Sequence, residues 1–581
     1  MARHDRIPQD RTRKNAPKAP PFHPHSEATR LLCAGAYFDA GFRDSAITEL
    51  IEQPGRVVPP SLGYDAATVV PHCLRARSMD VTTAALTLVV LLSAGLMILL
   101  GTLNQSYESF YFFVDIFSAP TAVMPMFTAE QEENIAQVVA YSLGLCMYVS
   151  LASFSRSTPP KDITAPVSSI KRIFRLLLGL FGLFNAALWL LLPVAAWVSN
   201  SGERAVVAAL FLPVLLIPIG VWHQIRINQT LRQELTRNAF AEEGTKPVDS
   251  RLQERYKERL AEISKQQTSD LILYNEDRPF LGAGIPHRAW SITLELERRP
   301  DSPEHSAPLD SRRVLAMIIP QLNRLTDASS SNSRDRLKSL ELKHCVFLPA
   351  SFPENVDHID FLYDRHRIGT HLTEAIGEGG EQRRHFLRIR VGGWGEKLIL
   401  TVFVRVHTQG GILSLEVFPH VLPPLRSIFH EADALTEEST RIRMDYLVNA
   451  PGVTLRALFS GWSAFTSRQR EGRRNSDAGI YQSPQRSIRE IASTKKCSGF
   501  QEMDINRYVQ AIQDRIASGA EQALEEAGYR TKEFQQQIVH IAAGGVFVGG
   551  SMTGAIATGE NANAVTEEEP NSFTDLITTL F

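Results

Sequence analysis

The amino-acid sequence predicts a membrane α-helical protein with four spans, joined to a cytoplasmic α+β domain built on an antiparallel sheet. Three observations predict it. Four long apolar runs without Asp, Glu, Lys or Arg lie between residues 81 and 223. The loops that join them alternate between rich and poor in Lys and Arg. From residue 271 the apolar pattern changes from a helical period to two-residue alternation.

The four runs are Val81–Gly101, Ile135–Phe154, Leu176–Val198 and Ala205–Trp222. Each is close to the roughly 20 residues that cross a bilayer as a helix. Pro213 and Pro218 are tolerable in a span, where neighbouring helices satisfy the freed carbonyls. Arg75 and Arg77 precede the first run, and the loop Thr102–Asn134 has no Lys or Arg. Arg156, Lys161, Lys171, Arg172 and Arg175 fill the next loop, and Arg226, Arg232 and Arg237 follow the fourth run. Positive charge marks the inner side, with Arg204 the exception, so the block 81–223 predicts an inner (plasma) membrane protein with both termini cytoplasmic. The aromatic outer loop around Tyr107–Phe113 suits an interfacial or re-entrant segment. The lack of charge inside the spans argues against a pump or proton relay.

Length and composition bound the rest. A chain of 581 residues has room for two or more folded units. With 61 basic and 63 acidic side chains, no global charge attracts nucleic acid, and no nucleic-acid partner is expected. Five scattered cysteines form no C-x-x-C, which suits a reducing compartment. The first apolar run starts too late for a cleavable leader.

Outside the spans, residues 1–25 read as a disordered basic start, and 26–80 as a small helical module capped by Ser26. Gly35 and Gly41 leave open whether that module has one helix or two. Residues 224–270 read as a helical stalk, in which Ser250 and Gln253 form a capping box. Its stripe Leu252, Tyr256, Leu260, Ile263 reads as packing. Residues 271–425 hold the strands "LILY", "AWSITLEL", "HCVFL", "FLRIRV", "KLILTVFVRV" and "ILSLEVF", interrupted by the helix "SRRVLAMIIPQLNRLTD". Gly392, Gly393, Gly395 and then Gly410, Gly411 mark hairpin turns. Residues 426–500 are a basic linker, in which 444–465 reads either as an interfacial helix or as a surface helix. Residues 501–530 form an amphipathic helix with Asp504 as its cap, Gly528 as its end and Ile505, Val509, Ile512, Ile516 as its seam. Residues 531–581 are a glycine-rich, β-prone tail with a terminal docking helix.

Chemistry is sparse. "ENVDHIDFLYDRHR" offers Asp357, His358, Asp360 and His366 as metal ligands, with Glu354 and Asp364 beside them. Their spacing matches no metal motif, and a polar loop between strands explains them better. "FLGAGIPH" carries only a G-x-G and reads as a turn. No nucleotide-binding, hydrolase or zinc-protease pattern occurs, so no catalytic residue and no cofactor is assigned, and binding is the default.

The segments "LLCAGAYFDAGFRDSAITELI", "RVVPPSLGYDAATVVPHCLRAR" and "LTVFVRVHTQGGILSLEVFPHVLPPLRSIF" resemble a group of uncharacterised multi-pass membrane proteins from actinomycete bacteria. That resemblance implies a bacterial inner-membrane location and no activity. In the tail, Gly545, Val546, Val548, Gly549, Gly550 and Gly554 give a fifth span, a strand that pairs with another sheet edge or with its own copies, or a short β-turn structure packed on its own domain. Each glycine inside a helix costs ~1 kcal/mol relative to alanine, which favours the strand. The segment is similar to the amyloid-like signalling motifs of some bacterial immunity proteins. The expectation is a non-enzymatic membrane protein that recruits partners or self-assembles in signalling or defence. The alternatives are a membrane-perturbing effector or channel gated by tail assembly, and a membrane-anchored metal-dependent enzyme. Expected partners are the lipid bilayer, further copies of the chain and a cytoplasmic protein.

Overall fold

The structure, a computed structural model, describes residues 26–53, 55–118, 216–243, 254–300, 309–327, 336–350, 363–377, 383–393, 397–431, 449–461 and 482–542, with 433 and 446. A helical module comes first. Helix α1 (Glu27–Phe38) is capped by Ser26, whose hydroxyl accepts from Thr29 N. Asp39 then breaks the chain and caps α2 (Ala40–Leu50) by accepting from Phe42 N, so the module opens with two helices. Gly35 is where α1 admits the Phe429 ring: a Cβ there would lie 2.0 Å from Phe429 Cδ1. Phe429 also stacks edge-on against Phe42 at 5.0 Å between centroids.

Helix α3 (Ala66–Ser118) contains the first predicted span. Its start packs inside the module through Val69, Val70, Cys73 and Met79. At Asp80 a carboxylate is buried against the Arg43 guanidinium at 2.8 Å and the His223 ring at 3.3 Å. Thr83 and Thr87 are buried just beyond it, while Val89 and Leu92 stay exposed on the other side. The end of the fourth predicted span opens α4 (Leu216–Glu234), which continues past it. Gly220 lets that helix approach the stretch 449–461 so closely that a Cβ would meet Ala450 O at 2.5 Å. The second and third predicted spans lie outside the described residues. Among the described residues, no helix is long and apolar enough to cross a membrane. The expectations of a four-span membrane protein and of an inner-membrane location are therefore corrected. The flanking charges misled because Arg75 and Arg77, counted as markers of the inner side, are paired with Glu234 and Glu52 at 2.6 and 2.5 Å within the helical module. The stretch 449–461 packs into this bundle, burying Ala450, Thr454 and Ala457, and leaves Phe459 exposed. Two short helices follow α4: α5 (Arg237–Glu243) and α6 (Lys257–Gln267), the latter burying Ile263 as its stripe predicted.

The second unit is a seven-stranded sheet. Its strands are β1 (Leu271–Tyr274), β2 (Ile285–Pro286), β3 (Trp290–Glu295), β4 (Glu341–Pro349), β5 (Arg384–Gly393), β6 (Leu398–Gln409) and β7 (Ile412–Leu422). The order is β1-β4-β5-β6-β7-β2, with β3 also pairing β7. The meander β4 to β7 is antiparallel as the hairpin signals predict, and Gly410 and Gly411 turn β6 into β7 at positive φ. The sheet is nevertheless mixed, because β1 runs parallel to β4, from Leu271 opposite Val346. Alternation cannot distinguish the two directions, and the long connection between these strands permits a parallel crossover.

The back of the sheet is covered by α7 (Ser311–Asp327) and α10 (Gly499–Glu526). Ser498, not Asp504, caps α10 in a full capping box with Gln501. Ile505, Val509, Ile512 and Ile516 are spent on this core, against Leu387, Ile389, Val402 and Leu415. Gly519 allows α10 to touch the backbone of α7 at Ile318. Helix α8 (Arg365–Gly377) closes the β1–β4 end, α9 (Ile488–Ala492) ties the sheet to the helical module, and α11 (Lys532–Ala542) takes in the first residues of the tail.

Candidate functional site

The front of the sheet differs from the back. Alternation on β5 sends Leu387, Ile389 and Val391 to the back core and puts Phe386, Arg388 and Arg390 on the front. On β6, Ile399, Thr401 and Phe403 share that front face, with Phe418, His420 and Leu422 of β7. The loop before β2 drops Phe280 onto it. That ring lies 4.8 Å from Phe403 in a stacked arrangement, and 5.5 Å from Phe386 and 5.6 Å from Phe347 edge-on.

Under Phe280 lies a small crevice with room for about one water molecule. Pro60, Leu62, Phe280, Phe347, Phe403 and Arg388 are among its lining residues. Arg388 is 8 % exposed. Among the described residues it has no ion pair and no side-chain hydrogen bond, whereas Arg390 beside it is paired with Glu341 at 2.9 Å. Across the strand pair its neighbours are Lys343, which is exposed, and Phe403. Arg388 thus stands directly opposite a second cation, Lys343, a like-charge pair that costs stability. On the same face Arg390 Nε and Thr401 Oγ1 are buried without a hydrogen-bond partner, and each has a proton to donate. Arg388, Arg390 and Thr401 all present donors, which suits an anion.

Two neighbours stay neutral. Burial pushes the Cys345 thiol up to about 11, so it remains protonated although Arg388 is near. Burial holds His420 down at about 4, against the hydrogen bond its Nδ1–H donates to Phe418 O. The G-x-G of "FLGAGIPH" is a turn, as predicted, with Gly282 and Gly284 both at positive φ. Its two amides donate to a carboxylate of the protein itself: Gly282 N and Gly284 N reach Glu490 Oε1 at 2.7 and 3.1 Å. Arg278 holds the other oxygen of Glu490 at 2.9 Å. This clamp holds the turn that follows Phe280.

Of the metal candidates, Asp357, His358 and Asp360 lie outside the described residues. His366 is exposed at the start of α8, where its amide donates to Asp364 Oδ2. No group of three or more possible metal ligands occurs among the described residues. Gly545, Val546, Val548, Gly549, Gly550 and Gly554 also lie outside them. Two other clusters have chemistry in reach but not the access. Thr83, His223 and Asp80 follow one another in the order of a nucleophile, base and acid, yet Thr83 is wholly buried and its hydroxyl bonds Met79 O. His344 and His385 touch at 3.0 Å on the back of the sheet, where burial holds both below the usual imidazole range.

Sequence reasoning passed over Arg388, Phe280 and the other rings. A signal existed: "HFLRIRV" alternates arginine with aliphatics, which alone reads as a solvent-facing side. The next strand, "LILTVFVRV", puts Ile399 and Phe403 on the same side, so that side had to be covered.

The AbeC-like domain family matches residues 289–555, a little under half of the chain, so the match begins just before β3 and runs past α11. No curated protein and no solved structure matches the chain.

Proposed function

We propose that this protein is a non-catalytic binding protein whose sheet module takes up a small anion at Arg388 and whose output is docking, to a partner or to further copies of the chain. The observation that carries this reading is Arg388, a largely buried residue that lines the crevice and has no ion pair among the described residues. Folding alone gives no reason to keep it, since an apolar residue of similar volume fills such a place at no cost or at a gain. Ligand-binding crevices combine apolar walls with a few convergent polar groups, and this one follows that rule. The match to the AbeC-like domain covers the sheet from β3 onward and therefore includes Arg388.

The test is thermal unfolding of the full chain in chloride, nitrate, acetate and phosphate salts at one ionic strength. Anion-selective stabilisation that disappears in Arg388→Met supports the reading, and equal behaviour of both proteins in every salt overturns it. The docking output is tested by light scattering on the full chain and on a chain ending at Ala542. Loss of self-association on truncation supports assembly through the tail. If neither chain associates, the output is a different partner.

A further inference from the structure

We infer that the exposed apolar corner at the start of α10 is the docking face for the segment 572–581 of the same chain. This rests on the docking half of the proposed function and does not depend on the anion at Arg388.

The face stands on a fixed turn of helix. Ser498 and Gln501 close a capping box that holds the first turn of α10 in place. Ile505, Val509 and Ile512 commit one side of that helix to the core. Phe500 and Met503, one turn apart on another side, are 75 % and 67 % exposed. Ile285 of β2, 48 % exposed, belongs to the same corner. His287 N donates to Pro419 O and so continues the register of β2, which puts His287 on Ile285's side of the strand. The His287 ring meets Asn506 Oδ1 of α10 at 3.1 Å. Thr494 N, just before α10, donates to Pro424 O at 2.8 Å, close to Val421, the partner of Ile285. Large apolar side chains left in water around a helix whose inner face is already packed mark a contact surface. Cations rim it. Lys495 and Lys496 before α10 and Arg288 after β2 are exposed, with no ion pair among the described residues. Of the nearby carboxylates, Asp504 is held by Arg507 at 3.3 Å, and Glu502 is exposed.

The occupant follows from the chain beyond Ala542. Residues 543–581 contain Glu560, Glu567, Glu568, Glu569 and Asp575 and no Lys or Arg. Phe573, Leu576, Ile577 and Leu580 recur at i, i+3, i+4 and i+7, the spacing of one apolar helix face. Ser572 and Asp575 take the places of a capping box at its start. An acidic run followed by an apolar helix face complements an apolar corner with a basic rim. The path of the chain fits as well. Gly528 turns it at positive φ and Gln535 then bonds Glu521, so α11 folds back along α10 toward its start. Helix α10 has 28 residues and is about 40 Å long. At roughly 3.3 Å per residue, the stretch 543–571 reaches further than that. A tethered segment meets its own face at a higher effective concentration than another copy's segment does.

Hydrogen exchange in the full chain, read at the amides of 574–581, tests the inference. They are expected to exchange at least about tenfold more slowly than in a free peptide of residues 566–581. Phe500→Ser and Met503→Ser, at exposed positions, are each expected to remove most of that protection. Raising the salt is expected to reduce it, since Lys495 and Lys496 act from the exposed rim. Phe459→Ser, at an exposed apolar position of the helical module, is the control and is expected to leave it unchanged. Absence of protection, or protection that persists in both α10 variants, overturns the inference. Loss of protection in Phe459→Ser overturns it by moving the contact to the helical module. Protection that grows with protein concentration overturns the same-chain contact and leaves docking between copies standing. Failure here is distinguishable from failure of the docking output as a whole, which the truncation at Ala542 reads.

Discussion

The two faces of one sheet obey different rules. Behind it, α7 and α10 press aliphatic side chains onto Leu387, Ile389, Val402 and Leu415, and Ile318, Leu322, Ile512 and Ile516 are completely excluded from water. In front, the same strands carry aromatic rings together with Arg388, Arg390, Thr401 and His420, and Arg390 Nε and Thr401 Oγ1 are left unmatched. A back face made this way repays burial at ~1.5–3 kcal/mol for each large side chain. A front face with an unpaired cation gives some of that away. The difference separates what holds the protein together from what it retains for a ligand, because cost without structural return is the physical mark of a site.

The contrast is most directly broken at the back. Ile512→Ala removes a fully buried side chain from the α7–α10 seam and is expected to cost about 3 kcal/mol in denaturant unfolding, with anion binding by the folded fraction unchanged. If that substitution were silent, the back would not be the structural core. Glu490→Gln comes next. It weakens the acceptor for Gly282 N, Gly284 N and Arg278, for an expected loss of about 2 kcal/mol. Hydrogen exchange should quicken across 279–284 and leave α10 protected, and uniform acceleration would show that the turn is not a separate clamp. Arg388→Met has the opposite sign. It removes a cation that stands opposite Lys343 with no ion pair among the described residues, and is expected to stabilise the ligand-free protein by about 1 kcal/mol; destabilisation would mean that the guanidinium is satisfied after all.

Protonation gives a further contrast. His420 on the front and His385 on the back are both held far below the ordinary 6.5, at about 4 and about 3, mainly by burial. Folding therefore favours their neutral forms, and the unfolded chain binds more protons below pH 6.5. That stability is fully present above pH 6.5 and is lost as the pH falls from there toward 4. His420→Phe should flatten part of the decline in a series of unfolding curves between these values. An unchanged curve would place the pH dependence elsewhere. The smallest effect is expected at the exposed pair Arg530–Glu297, 2.7 Å apart, where Arg530→Ala should change stability by less than about 0.5 kcal/mol.

The sheet was legible because alternation is a local signal. "FLRIRV" and "LILTVFVRV" became β5 and β6, and the glycine pair became their neighbour's turn. The helix "SRRVLAMIIPQLNRLTD" became α7 without a residue's change at either end. The direction of β1 was not legible, since pairing in parallel or antiparallel leaves the same pattern in the chain. The membrane reading failed for a related reason. Hydropathy along a segment does not say what lies beside it, and at Asp80 the neighbours are Arg43 and His223, from two other helices.

By itself the sequence determined where strands and helices form and which sides of them are apolar, because those properties depend on residues two to four positions apart. Only the tertiary structure decided that the arginine side of β5 is roofed by Phe280, a loop more than a hundred residues away, so that Arg388 is buried without a counter-charge. Burial and ion pairing are properties of the surroundings of a group in space, and the chain's order does not contain them.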